Sequence, residues 1–361
     1  MLDHLYFMKK AIKLALKAKG QTSPNPMVGA LIVKGGRIIA EGYHKKAGLP
    51  HAEVVALEKA GSKAKGATLY VTLEPCVHFG RTPPCVYRII ESRIKRVVIG
   101  MIDPNPLNNG KGIAILERHG VKVEVGFLEE EIKKMNESFI KYITTRLPFV
   151  VVKVGQSLDG KIATFSGDSH WITSDFSRKF AHRLRADFDA IMVGVNTILR
   201  DNPHLNSPYI KKQPKIIVVD SHLSTPQDAL IFNNPQVILV TLPSQVGQET
   251  DNRRLLSKKA TILEVKEKVG QVNLKDMLKK LASKGITSIL VEGGGTLIGS
   301  LFDERLVDKV MFFISPKIIG GKNAIDSVMG RGVERVDRAF KLKNVTMKRL
   351  GEDFLIEGYI R

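Results

Sequence analysis

Only two cysteines, Cys76 and Cys85, occur in a chain of 361 residues, and the triplet His51-Ala52-Glu53 precedes them. Two cysteines cannot build a disulfide framework in a chain this long, so they are read as metal ligands or catalytic groups of a reducing compartment, by default the cytoplasm. If His51, Cys76 and Cys85 share one ion, three separate segments must fold onto a single point. Zinc accepts this donor set, and with three protein ligands it keeps a fourth position for water, which distinguishes a catalytic site from a structural one. Glu53 stands two residues beyond His51, close enough to reach that water without binding the ion, and is expected to shuttle protons. The alternative is a closed site with His78 as the fourth ligand, disfavoured because structural sites use tightly spaced ligand pairs.

Length predicts two domains at roughly 150 residues each. The formal net charge of +20 is shared almost equally between the two halves and dispersed along both. A nucleic-acid arm concentrates one sign in a block, so this excess fits a phosphorylated small substrate or ordinary surface chemistry, with no nucleic-acid partner. Lys9, Lys10, Lys13 and Lys17 interrupt the apolar positions of the first segment, so no secretory leader is read. No apolar run approaches the ~18 residues of a membrane span. A soluble protein without a membrane partner is expected, and a homo-oligomer is compatible with it.

Hydrophobic patterning alternates between helix and strand throughout, the mark of layered α/β domains. Val28–Val33 and Arg37–Gly42 read as strands joined through Gly35-Gly36. A helix over His51–Ala60, strands over Thr68–Thr72 and Arg96–Met101, and a helix opened by Pro83-Pro84 follow. Both His51 and Cys85 therefore fall where a helix should begin, and unpaired amides there favour ionised sulfur. One charged helix is expected over Glu129–Tyr142, and Arg146-Leu147-Pro148 marks the boundary between domains 1–146 and 147–361. The second domain carries strands at Phe149–Val154, Ala190–Val193, Lys215–Val219, Val237–Thr241, Ser288–Val291 and Lys309–Ile314. The last but one runs through Glu292 into Gly293-Gly294-Gly295 and a helix over Leu297–Phe302. Such a turn lets amides approach phosphate at a helix N-terminus, although alone it reads equally well as a plain tight turn.

A histidine, a glutamate two residues on, a Pro-Cys pair and a second cysteine form the pattern of zinc nucleobase deaminases, here with eight residues between the cysteines where two are usual. Ser23-Pro24-Asn25-Pro26-Met27-Val28-Gly29, the His51 triplet and Thr72-Leu73-Glu74-Pro75-Cys76-Val77-His78-Phe79-Gly80-Arg81-Thr82-Pro83-Pro84-Cys85 resemble the deaminase half of the bifunctional riboflavin-biosynthesis deaminase/reductase family, which has this wider spacing. The resemblance implies an α/β chain with a cytidine-deaminase-like three-layer domain followed by a dihydrofolate-reductase-like domain. It further implies that Asn25, His44 and His78 bind a phosphorylated pyrimidine, with Arg81 and Lys45 or Lys46 as candidates for its phosphate.

The second half carries the resemblance onward through Lys153-Val154-Gly155-Gln156-Ser157, Ser169-His170-Trp171, His182-Arg183-Leu184-Arg185-Ala186, Gly194-Val195-Asn196-Thr197 and Asp201-Asn202-Pro203-His204-Leu205. By position, Gly155, Trp171, Thr197, Asp201 and the turn of Gly294, Gly295, Thr296, Leu297, Ile298, Gly299 and Ser300 would contact NADPH. Lys153, Ser169, Arg185, Leu205 and Glu292 would contact the substrate. One departure stands out: Pro208 occupies the place of a family arginine, so phosphate binding there falls to Arg185 or to Lys211 and Lys212. The implied activity is hydrolytic deamination of a phosphoribosylaminopyrimidine by the zinc domain, then NADPH-dependent reduction of its ribosyl group to ribityl. A tRNA adenosine deaminase shares the first motifs and suits the charge, but expects the narrower cysteine spacing and leaves Phe149 to Arg361 unexplained. A zinc-stabilised binding module without activity is the third reading.

Overall fold

Helix α1 (His4–Ala15), capped by the Asp3 carboxylate on the Tyr6 N–H, leads into strands β1 (Gly29–Lys34) and β2 (Arg37–Tyr43), helix α2 (Ala52–Ala60), β3 (Thr68–Leu73), α3 (Cys85–Glu91), β4 (Arg96–Met101), α4 (Lys111–Arg118), β5 (Lys122–Val125), α5 (Glu129–Met135) and α6 (Glu137–Thr145). The computed structural model describes residues 3–79, 83–209, 213–243 and 251–360, which divide into two units, 1–146 and 147–361. In the first unit the sheet order is β2-β1-β3-β4-β5. β1 is antiparallel to both neighbours, whereas β3, β4 and β5 run parallel.

Two helices clamp the hairpin from opposite sides. Gly29 stands opposite Tyr43 in the register, so Gly42 points to the other face. A Cβ on Gly29 would lie 2.0 Å from the Ala11 carbonyl oxygen of α1, and one on Gly42 would lie 2.4 Å from the Ala52 oxygen of α2. Bare backbone at both positions lets the helices lie directly on the sheet, giving three layers around a core that includes Leu31, Ile32, Leu69 and Ile99. The close seat of α2 also fixes where His51 and Glu53 stand.

The single helix expected over Glu129–Tyr142 is instead two, α5 and α6, broken at Asn136 (φ −110°, ψ 23°). Its buried side chain accepts the Met27 N–H at 2.8 Å and donates to the Met27 carbonyl at 3.1 Å. An asparagine that bonds distant backbone competes with regular helix, and here it ties the helix pair to the loop carrying Asn25.

The second unit contains β6 (Phe149–Gln156), β7 (Lys161–Ala163), α7 (Asp175–Leu184), β8 (Ala190–Gly194), α8 (Val195–Asp201), β9 (Lys215–Val219), β10 (Val237–Thr241), α9 (Asp251–Ser257), β11 (Thr261–Glu264), β12 (Glu267–Lys268), β13 (Gln271–Val272), α10 (Leu274–Ser283), β14 (Ser288–Gly293), α11 (Gly295–Asp303), β15 (Lys309–Ile314), β16 (Ile325–Asp326), β17 (Leu342–Leu350) and β18 (Asp353–Ile360). Nine strands form one sheet in the order β11-β10-β9-β8-β14-β6-β15-β18-β17. It is parallel from β11 to β15 and closes with the antiparallel β18 and β17. Alternate residues of β6 feed opposite cores, Val150, Val152 and Val154 on one face and Phe149 and Val151 on the other. Burial on both faces explains the unbroken apolar runs of these strands. The terminal hairpin escaped the sequence analysis because most of β17 faces solvent and carries no apolar alternation.

Gly42→Ala should force α2 off the sheet and destabilise the protein by roughly 1–3 kcal/mol through overpacking. Thermal melting checks this, and an unaltered Tm would contradict the close approach.

Candidate active sites

His51, Cys76 and Cys85 come from three places and meet. His51 is the extended residue preceding α2 (φ −71°, ψ 161°), Cys76 lies in the loop after β3, and Cys85 opens α3. The His51 Nδ1 atom is 3.2 Å from the Cys85 sulfur and 3.5 Å from the Cys76 sulfur. All three candidate ligand atoms fall within 4.8 Å of one another. Tetrahedral bonds of about 2.3 Å to sulfur and about 2.0 Å to nitrogen demand N–S separations of about 3.5 Å, so donor chemistry and spacing both fit zinc. Among the described residues no fourth His, Cys, Asp or Glu joins the group, and His78 stands outside it.

Charge in this cluster is unevenly held. The neighbouring Cys85 thiol holds Cys76 down at about 4, helped by His51 and by the Cys85 amide 3.4 Å from its sulfur. The same contact, with burial, pushes Cys85 well up. Contact with Cys76 raises His51. Burial raises the Glu53 carboxyl to about 7 despite the lowering influence of His51.

Asn25, His44, His51, Glu53, Cys76 and His78 line one pocket. His44 Nδ1 lies 3.2 Å from the Pro50 carbonyl, which can only accept, so that nitrogen carries the proton. Its Nε2 then accepts from the Asn25 amide nitrogen at 3.1 Å, which orients the Asn25 side chain. Burial lowers the His44 pKa and keeps the ring neutral. His78 Nδ1 is buried without a hydrogen-bond partner among the described residues. Lys45 and Lys46 are exposed and absent from the pocket lining, while Arg81, Lys211 and Lys212 lie outside the described residues.

The pocket also includes Asp103, Asn105 and Tyr142, which sequence reasoning missed. Burial pushes Asp103 up to about 6. Asp103-Pro104-Asn105-Pro106 reads as a turn in isolation. Its usable signal is its place at the carboxyl end of β4, beside the parallel strand that delivers Cys76, since ligands gather at such strand ends.

In the second unit the neighbouring parallel strands β8, β14 and β6 end together. A Cβ on Gly293 would lie 2.9 Å from Thr197 Oγ1, one on Gly194 3.7 Å from Leu297, and one on Gly155 3.4 Å from Thr173. The first turns of α8 and α11 thus come together at these strand ends. Glu292 is buried there, accepting Nε and Nη2 of Arg185 at 2.7 and 2.9 Å and lying 3.2 Å from Lys153 Nζ. Burial alone would raise its pKa, but the Lys153 and Arg185 charges overcome it and hold the carboxyl at about 2. Arg185 also donates to the Asn206 carbonyl at 2.7 Å. With His182 Nδ1 3.2 Å from its Nη1 as well, most of its N–H groups are already engaged, which leaves little of it for a phosphate beside Pro208.

Several residues expected at the cofactor or substrate are committed to packing. Leu297 and Ile298 belong to the core, and Leu205 is buried in the opposite one. A Cβ on Gly299 would sit 1.6 Å from the Met329 carbonyl oxygen, and one on Gly295 2.4 Å from that of Asp326. Ser300 bonds back to the Thr296 carbonyl. Gly294 (φ +82°) and exposed Thr296 remain at the open turn. Asp201 is exposed at the end of α8, one turn beyond Thr197, and Ser169 and Trp171 lie in the loop before α7.

Residues 1–101 match the cytidine and deoxycytidylate deaminase zinc-binding region, and residues 148–356 match the RibD C-terminal domain. The riboflavin biosynthesis protein RibD of Aquifex aeolicus (strain VF5) is 46% identical over 97% of this chain and 96% of its own length. That of Escherichia coli (strain K12) is 39% identical over 96% and 97%. Among solved structures, Acinetobacter baumannii RibD, form 1, superposes with a TM-score of 0.88 at 36% identity, covering 99% of both chains. The Thermotoga maritima diaminohydroxyphosphoribosylaminopyrimidine deaminase/5-amino-6-(5-phosphoribosylamino)uracil reductase gives 0.85 at 39% identity, again over 99% of both. The second-domain match disposes of a tRNA deaminase and of a zinc module without activity. With both halves matched and full-length relatives this similar, the chain belongs to the RibD family, the bifunctional zinc deaminase and reductase of riboflavin biosynthesis.

Proposed function

We propose that His51, Cys76 and Cys85 hold the zinc ion and that Glu53 is the proton carrier of the deaminase, acting on a phosphoribosylaminopyrimidine. A zinc ion held by this set supplies Lewis acidity that lowers the pKa of a bound water toward neutrality. Glu53, buried beside the three candidate ligands, takes one proton from the attacking water for the ring nitrogen and then passes the hydroxyl proton to the amine, so a C–O bond forms, the C–N bond breaks and ammonia leaves. Asn25, oriented by His44, and His78, with its unpartnered Nδ1, offer polar contacts to the ring and ribose. The observation that carries this reading is the convergence of three ligand atoms beside a buried carboxylate in an accessible pocket.

For the reductase we infer that NADPH lies at the carboxyl ends of β6, β8 and β14. The first-turn amides of α11, with Gly294 and Thr296, suit its pyrophosphate, while Gly155, Thr197, Asp201 and Trp171 border its course. The cofactor supplies the hydride when bound. Lys153, Ser169 and Arg185, with Glu292 as the joint between the two cations, face the sugar to be reduced. The dispersed charge favours a small phosphorylated pyrimidine over nucleic acid. No helix among the described residues is long and apolar enough to cross a membrane, and cysteines serving a metal fit the cytoplasm.

Supplying the diaminopyrimidine ribosyl phosphate with NADPH, and following ammonia and cofactor absorbance together, tests both halves; only the bifunctional assignment expects both signals. Glu53→Gln should keep zinc, by metal analysis, and keep NADPH oxidation with deaminated substrate. Ammonia release should fall by roughly 10²- to 10⁴-fold, and retained release removes Glu53 from its role. Chelation should abolish ammonia release while leaving the circular dichroism of the fold, whereas a structural ion would unfold the domain. Because Glu292 titrates below its ordinary 4.5, at about 2, its stabilisation is complete above pH 4.5 and is lost as pH falls toward 2. Glu292→Gln should cost roughly 3 kcal/mol at neutral pH and flatten that acid limb in pH-dependent melting.

A further inference from the structure

Trp171 is the sole tryptophan of the chain and is 61% exposed, yet its segment is fastened at several points. Lys317 Nζ donates to its carbonyl oxygen at 2.8 Å. The Arg178 guanidinium lies over the indole, 4.3 Å from the ring centre. Its Nη1 donates to the Thr173 carbonyl at 2.7 Å and its Nη2 reaches Asp175 at 3.3 Å. Ser174 gives both its N–H and its hydroxyl to Oδ2 of Asp353, at 2.8 and 2.7 Å, and Asp353 is fully buried. Thr173 packs beside Gly155 at the end of β6, so the fastened segment borders the strand ends to which the cofactor is assigned. Holding an exposed side chain in one place costs rotamer entropy, with little apolar burial in return. Such tethering is what a preorganised contact surface requires.

We infer that Arg178 is a positioning residue of the reductase: by stacking on the Trp171 indole, against which the His170 ring also stands in a T-shaped contact at 4.7 Å, and by holding the Thr173 carbonyl, it sets the indole for the nicotinamide cofactor. This rests on the assignment of Trp171 to NADPH. An arginine suits the task because its planar group stacks and donates at once, which a lysine ammonium cannot do.

Full-length Arg178→Met, Arg178→Lys and Trp171→Ala variants test it, and tryptophan emission reports this position alone. Arg178→Met should raise the KM for NADPH roughly fivefold to tenfold, with kcat at saturation held within about twofold. It should also make Trp171 more accessible to acrylamide quenching and weaken energy transfer from the indole to bound NADPH. Arg178→Lys should fall between. If Trp171→Ala raises KM but Arg178→Met changes neither KM nor emission, the positioning role is overturned while the cofactor assignment stands. A raised KM without altered emission overturns it too, because Arg178 would then meet the cofactor directly. If Trp171→Ala leaves KM unchanged, the cofactor assignment fails and the inference with it.

Discussion

Glu74 is the joint on which the deaminase site depends. This buried carboxylate immediately precedes Pro75-Cys76 and accepts the N–H groups of Asp103, Gly110 and Gly112 at 3.1, 2.9 and 2.8 Å. Charge-assisted bonds of this kind are stronger than neutral ones, and a buried carboxylate without partners would be prohibitive. Asn108 adds a second tie, accepting the Val77 N–H at 3.0 Å. The loop bearing one sulfur is thereby fixed to the segment bearing Asp103 and Asn105. Candidate metal ligand and pocket wall are held as a single piece.

The second unit meets a similar demand in another way. Glu292 is also a buried carboxylate near the carboxyl end of a strand, but cationic side chains satisfy it where backbone amides satisfy Glu74. Desolvating three charges yields little net stability, whereas breaking such a set is costly. What the cluster provides is fixed geometry: Lys153 on β6 and Arg185 after α7 are held to β14 by one acid.

Much of this was legible in the residues themselves. The strands over Arg96–Met101, Lys215–Val219, Val237–Thr241 and Lys309–Ile314 have the bounds expected from their apolar runs, because burial on both faces leaves no room for polar interruption. Cys76 and Cys85 could be grouped because the chain has no other cysteine, and His51 was marked among nine histidines by the glutamate two residues on. Asn136 was illegible as a breaker, since its partner Met27 lies 109 positions away and nothing in its neighbourhood signals that bond. Asp103 was hidden by turn-like prolines. The glycines after Glu292 suggested phosphate, yet Gly295 and Gly299 answer first to the Asp326–Gly330 backbone pressed against them, a contact between distant segments that no local pattern announces.

Strand β17 ends the large sheet with one side open. Its inner side pairs with β18, but among the described residues no strand pairs with its outer side, and such an edge invites another chain to add itself there, as growing fibrils do. Lys343, Lys348 and Arg349 stand exposed along it, so a second copy of the same edge would bring like charges together. Part of the basic excess thus lies where like charges disfavour edge-to-edge stacking.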